Sequence, residues 1–185
     1  VDSARDALAM ALITQNKSVN DKSTADLAAA QAKLTTLMPN IKAIIADEIK
    51  MYMAQNEAAI AVTYSGEASQ AMGNNSHLHY VVPSEGSNLW FDNIVMPKTA
   101  KHKAAAYAFL NFMSEPKNAA QNATYVGYAT PNKRAMPFLS EAVRHDKQFY
   151  PDKKTLDNLQ VYDDLGQRWT EKYNDAFLEF KMSQR

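Results

Sequence analysis

Four places in the sequence set an aromatic residue beside an acid or at the end of an element. Trp90 and Phe91 run straight into Asp92 within EGSNLWFDNIVMPK (85–98), Tyr64 precedes Ser65-Gly66, Tyr128 sits in VGYATPN, and Tyr162 stands before Asp163-Asp164. Aromatic faces attract cations at about 0.5 to 2 kcal/mol each, and a carboxylate supplies the countercharge and the acceptors that an ammonium needs. Together such residues can hold an organic cation. The same residue types also serve as core or rim side chains with a wet polar tip, and their spacing alone does not bring them to one point.

Covalent chemistry has less to work with. G-x-S-x-G, H-E-x-x-H, a Walker loop and G-x-G-x-x-G are all missing, and five glycines are few for a phosphate cradle. Asp92 and Glu85 are a carboxylate pair that a hydrolase could use, but no motif positions a base or a nucleophile with them, so an enzyme ranks last among the function classes. His77 and His79 would share one face of a strand at a spacing a metal could use, but the pattern offers no third ligand and no metal or cofactor is expected. His102 and His145 carry less still. Without cysteine there is no disulfide, thiol catalysis or zinc-cysteine site.

Twenty Lys and Arg balance twenty Asp and Glu, so no net field draws in nucleic acid or an anionic membrane and any charge recognition is local. A chain of 185 residues, 46% of them hydrophobic, can bury a real core. No apolar stretch approaches the roughly 18 residues that span a bilayer.

The elements that must position these residues alternate. Ala4, Leu8, Ala11 and Leu12 mark one face of a helix over 3–15, with Asp2 or Ser3 as N-cap. A second helix runs from Ser23 or Thr24 to Met38, stopped by Pro39. IKAII (41–45) suits a short strand, DEIKMYMAQN a helix, and AAIAVTY (58–64) a strand buried on both faces, followed by a Gly turn and a helix to residue 72. LHYVVP and LWFDNIVMP are two further strands, each ended by proline. Helices follow at about 101–114, 116–123 and 165–181, the last with Trp169, Tyr173, Phe177 and Phe180 on one face. The alternation predicts an α/β fold with a mixed sheet flanked by helices.

VTYSGEASQAM, YVVPSEGSNLWFDNIVMPKTAKHKAAAYAFLNFM, NAAQNATYVGYATPNK and FYPDKKTLDNLQVYDDLG, in this order and spacing, resemble the extracytoplasmic spermidine/putrescine-binding proteins of polyamine ABC transporters. The blocks around WFDN and VGYATPN are the specific ones. The resemblance implies a two-lobed, hinged solute-binding receptor of the periplasmic type II class, working outside the cytoplasm. Such a receptor captures a polyamine in an interlobe cleft and delivers it to the permease. A receptor for another organic cation or small solute is the second reading.

The resemblance also implies that VDSARD is preceded in a family member by a long segment that builds most of the amino-terminal lobe. Residues 1–91 and 139–185 would then form the carboxy-terminal lobe, and 92–138 would belong to the other. Carried over position by position, Trp90 stacks on the methylene chain, Asp92 pairs with an ammonium, Tyr128 is a binding tyrosine, and Asp6 is a carboxylate on the first helix. Three positions depart from the common pattern. Tyr64 replaces a tryptophan, Tyr162 replaces a glutamine, and Ser3 replaces a second helix carboxylate, which leaves open how many ammonium groups are neutralised and so which polyamine is preferred. By itself this chain is expected to bind polyamine weakly or not at all, and to self-associate through Tyr107, Phe109, Leu110 and Phe112.

Overall fold

The computed structural model describes residues 1–183. In chain order the helices and strands are α1 (Ala4–Ile13), α2 (Thr24–Leu37), α3 (Ile49–Ala54), α4 (Ser65–Asn74), β1 (Ser87–Leu89), α5 (Lys103–Ser114), α6 (Pro116–Val126), α7 (Glu141–Arg144), α8 (Lys153–Leu156), β2 (Leu159–Val161) and α9 (Gln167–Met182). Short 3-10 turns cover Met38–Asn40 and Lys133–Phe138. The chain divides into two compact units: residues 1–63, 81–90 and 153–185 form the first, and 64–80 with 91–152 the second.

In the first unit the N-cap signals work as the sequence predicts. Ser3 Oγ accepts from Asp6 N at 3.3 Å to open α1, and Ser23 Oγ accepts from Asp26 N at 3.2 Å to open α2. Each hydroxyl satisfies one of the amides that a helix start leaves without an intrahelical partner. The apolar faces of α1, α2 and α9 then close on one another through Leu8, Leu12, Leu27, Leu34, Phe177 and Phe180. Burying Leu8 and Leu12 completely contributes about 1.5 to 3 kcal/mol each relative to exposure. Tyr173 of α9 is fully buried, and its hydroxyl donates to Asp21 O at 2.9 Å, so the one polar atom of that side chain is satisfied.

The second unit has a smaller core of Ala120, Ala123, Ala135 and Leu139, with Val143 and Tyr150 packed against it. Tyr150 Oη accepts from Thr130 N at 3.1 Å, Asn132 Nδ2 donates to Ser114 O at 2.9 Å, and Asn132 Oδ1 caps the following turn at Arg134 N. The ATPN loop is thereby fixed. Tyr80 stacks on Phe149 with centroids 6.1 Å apart.

The α/β class holds, and the sheet formed by the described residues is one parallel pair, with Ser87, Asn88 and Leu89 facing Leu159, Gln160 and Val161. The longer strand-like runs do not join it. Residues 41–45, 58–64, 78–83 and 90–96 make no ladder, and the run expected to be buried on both faces exposes Ile60 at 87% and Val62 at 45%. An apolar run becomes a buried strand only where neighbours take its N–H and C=O groups and cover its faces, and among the described residues no strand does so. Of the strand predicted over LWFDNIVMP only Leu89 lies in a ladder, as the last residue of β1, while β2 (LQV) is too short and too mixed to carry a period of its own.

Candidate functional site

Asp6 occupies the third position of α1, where the positive end of the helix dipole suits a carboxylate. Two side chains converge on its Oδ1: Tyr162 Oη donates at 2.7 Å and Asn88 Nδ2 at 3.4 Å. The sheet explains why. Parallel pairing sets Asn88 opposite Gln160, and Tyr162 lies two residues further along on the same side, so both strands deliver a donor to the start of α1. Trp90 follows β1 directly and is half-buried.

Tyr162 is held from behind by Arg5. The guanidinium carbon lies 4.4 Å from the Tyr162 ring centroid and 5.3 Å from that of Tyr173, so the cation sits between two aromatic faces. Arg5 Nη2 donates to Asn20 Oδ1 at 2.7 Å and to Val19 O at 3.3 Å, and Nη1 to Asp163 O at 3.3 Å. Asn20 is a clip in its own right: Nδ2 donates to Val161 O at 2.9 Å and Oδ1 accepts from Asp163 N at 2.9 Å, bracketing Tyr162. On the neighbouring turn of chain, Gln160 Oε1 accepts from Val19 N at 3.1 Å. Burial pushes the Tyr173 hydroxyl up from the ordinary tyrosine value, which keeps that wall neutral.

In the second unit, Tyr64 is the N-cap residue of α4 and Tyr128 lies against the same helix start. A Cβ placed on Gly66 would fall 2.2 Å from Tyr128 Cε2, so the ring rests on bare helix backbone that only glycine leaves open. Gly127, immediately before Tyr128, has φ +76° and ends α6 in the left-handed conformation that glycine adopts without penalty. Asp92 lies just past the unit boundary, in irregular chain, and is exposed.

Of the six residues singled out in the sequence, the structure brings Asp6 and Tyr162 into direct contact and sets Tyr64 and Tyr128 at one helix start. Trp90 and Asp92 fall on either side of the unit boundary. Sequence reasoning missed Arg5, Asn20 and Asn88. Gly66, read from the sequence as a turn ahead of the helix, lies instead inside the first turn of α4, where its missing Cβ admits the Tyr128 ring. His77 and His79 are exposed, and among the described residues no group of three His, Cys, Asp or Glu could hold a metal ion.

Comparison with known proteins gives a consistent result. The spermidine/putrescine-binding periplasmic protein of Escherichia coli K12 is 34% identical over 165 residues, covering 89% of this chain and 47% of the relative. The putrescine/agmatine-binding protein of Pseudomonas aeruginosa is 27% identical over 86% of the chain and 45% of the relative. Among solved structures, the spermidine/putrescine ABC transporter substrate-binding protein PotD of Streptococcus pneumoniae superposes with a TM-score of 0.88 at 53% identity, covering 100% of this chain and 57% of that one. The chain thus spans about half the length of the curated relatives it matches. The family model of bacterial extracellular solute-binding proteins matches residues 1–151, and the chain belongs to that family.

Proposed function

We propose that the complete protein is an extracytoplasmic receptor that binds polyamines, spermidine or putrescine, and delivers them to the permease of an ABC transporter. The observation that carries this reading is an acid held by an aromatic hydroxyl: Tyr162 donates to Asp6 Oδ1 at 2.7 Å, next to the strand that leads into Trp90 and Asp92. A polyamine is a set of ammonium groups joined by flexible methylenes. It needs carboxylates for the ammoniums, because an unpaired buried charge is very costly, and flat faces for the stem. Rigid aromatics lose little entropy in providing them. A micromolar ligand requires about 8 kcal/mol net, within reach of paired ammoniums plus stacking after ordering costs.

In this reading Trp90 and Tyr64 are stacking faces, Asp92 and Asp6 take ammonium groups, and Tyr128 and Tyr162 line the site. Residues 1–91 and 139–185 belong to the carboxy-terminal lobe of the whole receptor and 92–138 to the other. The relatives' names support the ligand class, and the family supports a binding role. A thermal-shift panel of putrescine, spermidine and spermine on the full-length protein, repeated with Trp90→Ala, is the test. Stabilisation by at least one amine that Trp90→Ala diminishes is expected; no shift with any amine overturns the reading.

A further inference from the structure

Resting on the polyamine reading, we propose that Arg5 is a positioning residue for the ammonium subsite at Asp6, acting through the hydroxyl of Tyr162. An arginine one residue from a carboxylate meant for a cation needs an explanation, because its charge opposes the incoming ammonium. The geometry supplies one. The guanidinium is turned away from ligand duty: its face is taken by the Tyr162 and Tyr173 rings, Nη1 and Nη2 donate to Asp163 O, Val19 O and Asn20 Oδ1, and Nε is enclosed without a hydrogen bond.

Each of those contacts ends on something that fixes Tyr162. Tyr173 is anchored in the α9 core, Asn20 grips the backbone at Val161 and Asp163, and the Tyr162 ring is stacked directly. Tyr162 in turn donates to Asp6 Oδ1, which sets the carboxylate's orientation. The chain of contacts therefore runs from the core of the first unit, through Arg5, to the oxygen atoms that would meet an ammonium. Lysine cannot substitute, because a compact ammonium neither lies flat between two rings nor spreads its donors in the rigid planar fork that reaches Asp163 O, Val19 O and Asn20 Oδ1 together. The aromatic ring at position 162 is what lets the stack exist.

Two measurements on the full-length protein test this. In the ligand-free protein labelled with 13Cζ-tyrosine, the Tyr162 resonance, identified by its loss in Tyr162→Phe, should move in Arg5→Lys in the direction it moves in Asp6→Ala. A resonance unmoved by Arg5→Lys overturns the proposal, whatever the protein binds. In spermidine titrations, Arg5→Lys should weaken affinity roughly five- to tenfold, and less than about twofold when Tyr162→Phe has already removed the hydroxyl. Equal losses in both backgrounds would show a general brace and overturn the role assigned to the hydroxyl. If the unaltered protein binds no amine, the polyamine reading falls and the resonance alone decides the positioning claim. Arg5→Met, which keeps an apolar stem between the rings, takes the place of Arg5→Lys if that variant fails to fold.

Discussion

Gly66→Ala adds one methyl group at the point where the Tyr128 ring rests on α4. The added Cβ would stand 2.2, 2.4 and 2.5 Å from Tyr128 Cε2, Cδ2 and Cζ. Ordinary carbon contacts lie at about 3.5 to 4.0 Å, so the ring must retreat by about 1.3 to 1.8 Å. Overpacking of this kind costs about 1 to 3 kcal/mol, offset by up to about 1 kcal/mol because alanine favours helix over glycine. A net loss of about 1 to 2 kcal/mol is expected in urea unfolding of the full-length protein. If Tyr128 lines the amine site, its displacement also removes a stacking face and weakens spermidine binding about 2- to 30-fold. The diagnostic comparison is with Tyr128→Ala, where the ring is gone and Gly66→Ala should become neutral or stabilising. An equal penalty in both backgrounds would refute the close-approach account of Gly66.

Three further outcomes are expected. Lys17 donates to Asp26 across 3.0 Å, holding the Asp26 carboxyl below the ordinary carboxylate value and Lys17 above the ordinary lysine value. The Asp26 contribution is therefore present above the usual carboxylate pKa and lost as pH falls through the lowered value, so Asp26→Asn should flatten the acid limb of stability below about pH 4 in urea melts; an unchanged limb contradicts it. Phe177→Ala opens the shared core of α1, α2 and α9 and should cost about 3 to 5 kcal/mol in the same assay, whereas a cost below about 1 kcal/mol would mean that face is not packed. The 185-residue chain on its own exposes Val95 at 80%, Ile94 at 60% and Tyr107, Phe109 and Phe112 at over half, and should self-associate in sedimentation velocity as concentration rises; a monomer throughout contradicts that.

The longer helices were legible because their signals are local, whereas the four-residue α7 and α8 left no period to read. Ser3 and Ser23 each precede an acid by three residues and an apolar periodic run, Pro39 marks the end of α2, and the α9 aromatics repeat at helical spacing. The strands were not, because a strand exists only with its partner. AAIAVTY reads as a buried strand yet pairs with no strand among the described residues, while LQV, unremarkable alone, pairs with SNL and carries Tyr162 to Asp6. For the site, an aromatic pressed against an acid is rare enough to notice in Trp90-Phe91-Asp92. A single acid such as Asp6 in the first turn of a helix is commonplace and stood out only through the resemblance. Arg5 and Asn20 act through contacts 14 to 158 residues apart in sequence, which no local pattern encodes.

The most direct test is calorimetric titration of the full-length protein with spermidine and putrescine, alongside Asp92→Ala. A micromolar dissociation constant for at least one amine is expected, weakened tenfold or more when the Asp92 carboxylate is removed, since a charge-assisted pair contributes about 1.5 to 3 kcal/mol. Absence of binding by the intact protein, or binding that Asp92→Ala leaves unchanged, would contradict the account.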